Sequence, residues 1–176
     1  MNKEELVIWV DDEDHELGRL PRSVVHAKDH LLLHREAMVI LFSNAAHTEF
    51  WLQLRSPTKE QYPNYWTLGV TCHVNSEDIS ADDPEGYLSA AKREGSEELG
   101  ITINNSTVER KVVIETAINH ALAAIVVAEC LDVPKPDGDE VVEVRKFDVN
   151  SVNQIRDKLT PAALFCLKQL ELIEGD

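Results

Sequence analysis

Residues 92–101 read KREGSEELGI. Arg93, Glu94, Glu97 and Glu98 carry charge, and Gly100 closes the run. On a helix turning about 100° per residue, the glutamates fall within an arc of roughly 100°. Leu88, Ala91, Gly95 and Leu99 fall on the neighbouring face. The segment therefore predicts a helix with one side fit to dock on a sheet and a carboxylate side next to it. Asp83 and Pro84 predict its start and Gly100 its end. Crowded carboxylates repel one another, and a helix that needed only solubility would alternate Glu with Lys. A hard cation such as Mg²⁺ reverses the sign of that crowding, since it takes oxygen ligands and keeps substrate phosphates in its shell. The competing reading is a solvated charged face, the common fate of such clusters.

The surrounding chain predicts strands about this helix. ELVIWV (5–10) is β-rich, GRLPRSVVH (18–26) reads as a proline-bearing edge strand, and EAMVILFSN (36–44) with TEFWLQLR (48–55) reads as a hairpin. SPTKEQYPNY (56–65) is loop, WTLGVTCHV (66–74) strand, and NSEDISADDP (75–84) an acidic loop. Further β-rich runs occupy 108–118, 121–133 and 140–149, and TPAALFCLKQLELI (160–173) has helical periodicity. Strands around one internal helix, with a second helix at the end, give an α+β class in a single domain over 1–176.

Composition narrows the functions. The formal net charge is −15, which disfavours a nucleic acid polymer or an anionic membrane as partner. A small phosphorylated substrate remains compatible, because a divalent cation bridges carboxylates to phosphate. The cysteines Cys72, Cys130 and Cys166 are odd in number and form no CxxC motif, as expected of a reducing cytoplasm. No apolar run approaches the ~20 residues of a membrane span, and MNKEE has no apolar signal core behind it.

The helix resembles the signature of the Nudix hydrolase superfamily, G-x5-E-x7-R-E-U-x-E-E-x-G-U with U a bulky aliphatic residue. Glu85 precedes Arg93 at the pattern's spacing, and Arg93, Glu94, Glu97, Glu98, Gly100 and Ile101 match in turn. The resemblance implies an α/β/α sandwich: a mixed sheet with one signature helix and a C-terminal helix. It implies that Glu97 and Glu98 bind Mg²⁺ or Mn²⁺, and that Glu94 is a further ligand or the general base. Arg93 would orient Glu94, and Glu85 would either bend back to the metal or interact with the helix dipole. Two positions depart from the pattern. Gly95 stands where U is expected, and Ile79 where the first glycine is expected. Cys72 is the nearest match for that glycine, which places an insertion of about seven residues in the loop at 75–83.

Residues 5–150 are similar to the branch that contains isopentenyl-diphosphate isomerase. RSPTKEQYPNYW matches a stretch whose arginine and lysine approach the diphosphate, giving Arg55, Lys59 and Trp66 as substrate-binding candidates, with His73 of TCHV beside them. The isomerase also holds a metal through three histidines and a Glu-x-Glu pair and uses a cysteine. His26, His34 and His73 lie in the matching stretches, but Thr71 replaces the cysteine and Asn119-His120-Ala121 replaces the acidic pair. For His26 and His34 a structural or surface role is the expectation. Glu140 and Glu143 are candidates for a carboxylate from outside the helix, and Cys72 is a possible nucleophile by position but reads more readily as a small buried residue. The expectation is a cytoplasmic pyrophosphohydrolase of a small-molecule diphosphate, binding no nucleic acid and no membrane, in which a homodimer is plausible.

Overall fold

The computed structural model describes residues 5–103 and 105–173. The chain opens with β1 (Leu6–Val10), β2 (Glu16–Pro21) and a short helix α1 (Arg22–Val25). The long β3 (His34–Phe42) is followed by β4 (Phe50–Arg55), β5 (Trp66–Leu68) and β6 (Val70–His73). The signature helix α2 spans Tyr87–Leu99. Then come β7 (Ser106–Glu115), β8 (His120–Glu129), β9 (Val141–Phe147), α3 (Val149–Asn153) and α4 (Pro161–Gln169).

Among the described residues the strands form one nine-stranded mixed sheet organised around β3. Along one edge β3 pairs in parallel with β8 over its whole length. Along the other it meets β1 at His34, β6 at Glu36–Val39 and β4 at Leu41–Phe42, all antiparallel. Alternation along β3 feeds two cores. Ala37, Val39 and Leu41 pack with Tyr87, Ala90, Ala91 and Leu99 of α2. Met38, Ile40 and Phe42 pack with Ala163, Cys166 and Leu167 of α4 on the other face. The sheet is thus enclosed by helices on both faces, as the sandwich requires.

Three expectations need correction. WTLGVTCHV is two strands, because the chain changes partner at Gly69: β5 pairs with β4 and β6 with β3. A Cβ at Gly69 would lie 2.6 Å from Leu41 Cβ, so only glycine lets the two backbones approach there. In GRLPRSVVH the strand ends at Pro21, and residues 22–25 form a helical turn. Helix α2 begins at Tyr87, past Pro84. Asp83 still caps it, its carboxylate accepting from Gly86 N at 3.0 Å and Ser89 N at 2.7 Å. At the far end Gly100 adopts φ 60°, and its N–H and that of Ile101 bond back to Ser96 O and Gly95 O. Gly95 accommodates the chain that follows the helix, not the sheet: a Cβ there would meet Ile103 Cδ1 at 3.0 Å.

Candidate active site

The carboxylate face of α2 is organised by Arg93. Its Nη1 donates to Glu94 Oε1 at 2.8 Å and to Glu97 Oε2 at 3.4 Å. Its Nε and Nη2 donate to the two oxygens of Asp78, each at 3.0 Å, and Nη2 also reaches His73 O at 3.3 Å. Asp78 is buried and its Oδ2 accepts from Asn75 N. A bidentate guanidinium–carboxylate pair fixes a plane as well as a position, so Glu94 is aimed by a rigid fork.

The sequence spacing back from Arg93 points to Glu85 and not to Asp78. Counting forwards, Cys72 is followed by five residues and then Asp78, the spacing of the pattern's glycine and first acid. Fourteen residues then separate Asp78 from Arg93 where the pattern has seven. The inserted residues therefore lie after Asp78, nearer the helix than expected. Glu85 is not brought to the other glutamates. Its Oε1 accepts from Lys111 Nζ at 2.6 Å, and the same ammonium meets Asp14 Oδ2 at 2.6 Å.

A cavity of about 560 Å³ opens beside the helix. Glu94, Glu97, Glu98, Arg93, Arg55, Lys59 and His73 line it, so most of the candidate residues share one chamber. Lys59 is ion-paired with Glu140, which also lines the cavity, and Arg55 Nε donates to Gln61 O at 3.0 Å. Arg22, passed over in the sequence, lines the same space as a third cation. Trp66 does not belong to this wall. It is buried in the α4-side core with its ring 5.1 Å from that of Phe147 and Arg145 stacked over it at 5.2 Å. Glu143 is occupied by Arg145 at 2.5 Å on β9. Burial pushes the Cys72 thiol well above its ordinary range, and nearby Glu94 pushes the same way, so the group is a neutral thiol and no thiolate nucleophile.

The electrostatics of the helix face fit a cation. Burial raises the Glu94 carboxyl, and burial followed by the charge of Glu94 pushes Glu98 up to about 7. Gln53 Nε2 donates to Glu98 Oε2 at 3.4 Å, while Gln53 Oε1 is buried without a partner among the described residues. Crowded anionic oxygens and an orphaned amide oxygen are the donor set a hard divalent ion takes.

The histidines converge in space. The metal-ligating atoms of His26, His34, Glu36 and His73 all lie within 4.8 Å of one another. His26 Nε2 is 2.8 Å from His73 Nε2, and Glu36 Oε1 is 3.3 Å from His34 Nε2 and 3.6 Å from His73 Nε2. Burial lowers His26 and takes His73 down to about 3, so both rings are neutral at ordinary pH. The sequence signal for Glu36 was a carboxylate at the head of the apolar run AMVILF.

Comparison with known proteins agrees with this geometry. No family model matches the chain. An uncharacterised Nudix hydrolase of Pseudomonas aeruginosa is 37% identical over 97 residues, 55% of this chain and 51% of that protein. Isopentenyl-diphosphate delta-isomerase 2 of Homo sapiens is 33% identical over 103 residues, 56% of this chain and 44% of that protein. The chain thus spans about half the length of the curated relatives it matches. Among solved structures, a Deinococcus radiodurans protein superposes with a TM-score of 0.69 over 94% of this chain and 98% of its own, at 16% identity. A MutT Nudix hydrolase from Burkholderia pseudomallei gives 0.62 over 78% and 98%, at 20% identity. A Nudix domain from Shewanella oneidensis, solved with ADP ribose, gives 0.62 over 79% and 85%, at 13% identity. The fold is the Nudix fold, and over about half of its length the chain is similar in sequence to a Nudix hydrolase and to an isopentenyl-diphosphate isomerase.

Proposed function

We propose that the chain is a divalent-metal-dependent hydrolase that cleaves the phosphoanhydride bond of a nucleoside diphosphate joined to another group. One observation carries the reading: Arg93, clamped by Asp78, holds Glu94 beside Glu97 and Glu98 on the wall of a cavity that also presents Arg55 and Lys59. The Nudix hydrolase relative and the Nudix domain solved with ADP ribose support it.

Glu97 and Glu98 would hold Mg²⁺ or Mn²⁺. Bound there, the ion would polarise a phosphoryl oxygen and lower the pKa of a coordinated water. Glu94 keeps one oxygen on Arg93 and has the other free to ligate or to accept a proton. Arg55 and Lys59 would bind the diphosphate and offset charge developing on its oxygens, with Lys59 exchanging Glu140 for phosphate. Arg22 and Tyr62 extend the same wall toward the rest of the substrate.

The imidazole cluster favours a second reading, an isomerase of an isoprenoid diphosphate. That chemistry needs a proton donor and acceptor across a carbon–carbon double bond. Thr71, Asn119 and Ala121 offer neither at the positions where the resemblance places them.

The test is phosphate release over a panel of nucleoside diphosphate derivatives and isoprenoid diphosphates with Mg²⁺, wild type against Glu97→Gln. Turnover of an anhydride that falls about 100-fold or more in the variant supports hydrolysis. Rearrangement of an isoprenoid diphosphate without phosphate release selects the isomerase. Ligand binding without turnover selects a Nudix module that only binds.

A further inference from the structure

The loop between β4 and β5 bends in a way that its sequence only partly explains. Tyr62-Pro63-Asn64-Tyr65 closes on itself, the Tyr65 N–H donating to Tyr62 O at 3.3 Å. Proline in second place and Asn64 in third, at φ 61°, is the pattern of a type II turn, and asparagine tolerates that conformation. The turn accounts for Pro63 and Asn64. It does not account for Tyr62, which also lies in the left-handed region, at φ 50°. A bulky side chain is an outlier there, and a residue before proline is pushed toward extended backbone besides. Glycine would make the same bend without strain.

The surroundings enforce the strain. Arg55 Nε donates to Gln61 O at 3.0 Å on one side of Tyr62, and the Asn64 N–H donates to Arg55 O at 3.3 Å on the other. Strain held in place by its surroundings gathers at ligand sites, where the position of a side chain outweighs its cost. What the strain positions here is a ring. Tyr62 lines the same cavity as Arg55 and Lys59. Among the described residues that line it, no other is a tyrosine, phenylalanine or tryptophan. The half-buried Tyr62 ring meets that of Tyr65 edge to face, with centroids 5.9 Å apart at 64°. Such a contact uses at most one face of Tyr62 and leaves the other open.

We infer that Tyr62 is the stacking platform for the nucleobase of the substrate, in a subsite beside the diphosphate-binding Arg55 and Lys59. The inference rests on the proposed cleavage of a nucleoside diphosphate derivative and deepens it. Every base has a π-face, so the platform selects an aromatic group without reading which base it is. An isoprenoid chain has no extended π-face and would use only the apolar area of the ring. Arg55 links the two subsites, since the residue that lines the phosphate end also fastens the backbone next to Tyr62.

The test uses the whole chain with Mg²⁺ and calorimetry of two probes that hydrolysis cannot consume. One is the α,β-methylene analogue of adenosine diphosphate, and the other is methylenediphosphonate, which has the same bridge and no base. Wild type should bind the nucleotide analogue more tightly than the bare bisphosphonate. Tyr62→Leu keeps apolar bulk and removes the π-face. It should weaken the nucleotide analogue about 5- to 100-fold and leave the bare bisphosphonate unchanged, while Tyr62→Phe keeps both affinities. Tyr62→Gly should raise Tm while weakening the nucleotide analogue, an opposition that a structural role would not produce. Unchanged nucleotide affinity in Tyr62→Leu would overturn the inference and leave the diphosphate site standing. So would an isoprenyl methylenediphosphonate that binds wild type as tightly as the nucleotide analogue. Loss of stability and of both probes alike in Tyr62→Gly would assign Tyr62 to the loop's architecture instead. Failure of both probes to bind folded wild type would overturn the hydrolytic reading, and the base subsite with it.

Discussion

Glu98 shows how one group's titration reports on the site. Its carboxyl is pushed up to about 7 in the folded protein, chiefly by burial and next by Glu94. The folded state therefore holds a proton that the unfolded chain releases near the ordinary carboxylate range. That contribution favours folding at low pH and is lost as pH rises from about 4.5 to about 7. Glu98→Gln is a permanently neutral shape match. In metal-free protein it should raise Tm by about 2–4 °C, the effect of about 1 kcal/mol, at pH 8 and leave it nearly unchanged at pH 5. Differential scanning calorimetry of the pair at both pH values checks this; an equal effect at both would remove the charge argument. Asp78→Asn should cost about 2 kcal/mol, or about 4–8 °C in Tm, by breaking a charged bidentate bond. It should also lower kcat more than it raises KM, because Arg93 then aims Glu94 loosely. Asp78→Glu should recover part of the kcat, an outcome a purely structural role would not give. At this scale Arg93, Glu94, Glu97 and Glu98 were singled out by the resemblance of their spacing to the Nudix signature, since the helix pattern alone also fits a solvated charged face. Trp66 was not legible, because an aromatic beside a loop reads the same whether it faces a core or a cavity. Glu36 and Asp78 were hidden because their partners, His34, His73 and Arg93, are assembled by sheet register and by an inserted loop.

The elements followed from periodicity more faithfully than their junctions did. β3, β4 and α2 were evident because alternation and a capped amphipathic run leave few other solutions. The break at Gly69 was not, because WTLGVTCHV reads as an unbroken strand until its two halves are given different partners. That junction makes a sharp prediction. The clash at Gly69 is with Leu41 Cβ, an atom almost every residue possesses. Gly69→Ala should therefore destabilise by about 1–3 kcal/mol, and shortening Leu41 to Ala should not rescue it. Chemical denaturation of the single and double variants would measure this, and a rescue would mean that the contact lies elsewhere. Gly95 differs, because a Cβ there meets the mobile end of Ile103 at 3.0 Å. The bulky aliphatic residue of the motif is replaced by space that Ile101 and Ile103 fill from behind the helix.

Across the whole molecule, the net charge of −15 and the carboxylate wall point the same way. No helix among the described residues is long and apolar enough to cross a membrane. A divalent cation that binds only the folded chain stabilises it by mass action, by about 2.7 kcal/mol at one hundred times Kd. At matched ionic strength, Mg²⁺ should raise the Tm of wild type and do so much less for Glu97→Gln. Equal shifts would indicate general screening of an acidic surface. The sandwich places Glu36 and His73 of the sheet on the same cavity as the carboxylates of α2. Which bond is broken there is most directly read by phosphorus NMR of turnover in ¹⁸O-water, with Mg²⁺ and a nucleoside diphosphate derivative. The account predicts a phosphate product carrying solvent oxygen, with its signal absent in Glu97→Gln. Folded, metal-loaded wild type that leaves every diphosphate resonance of the panel unchanged would contradict it.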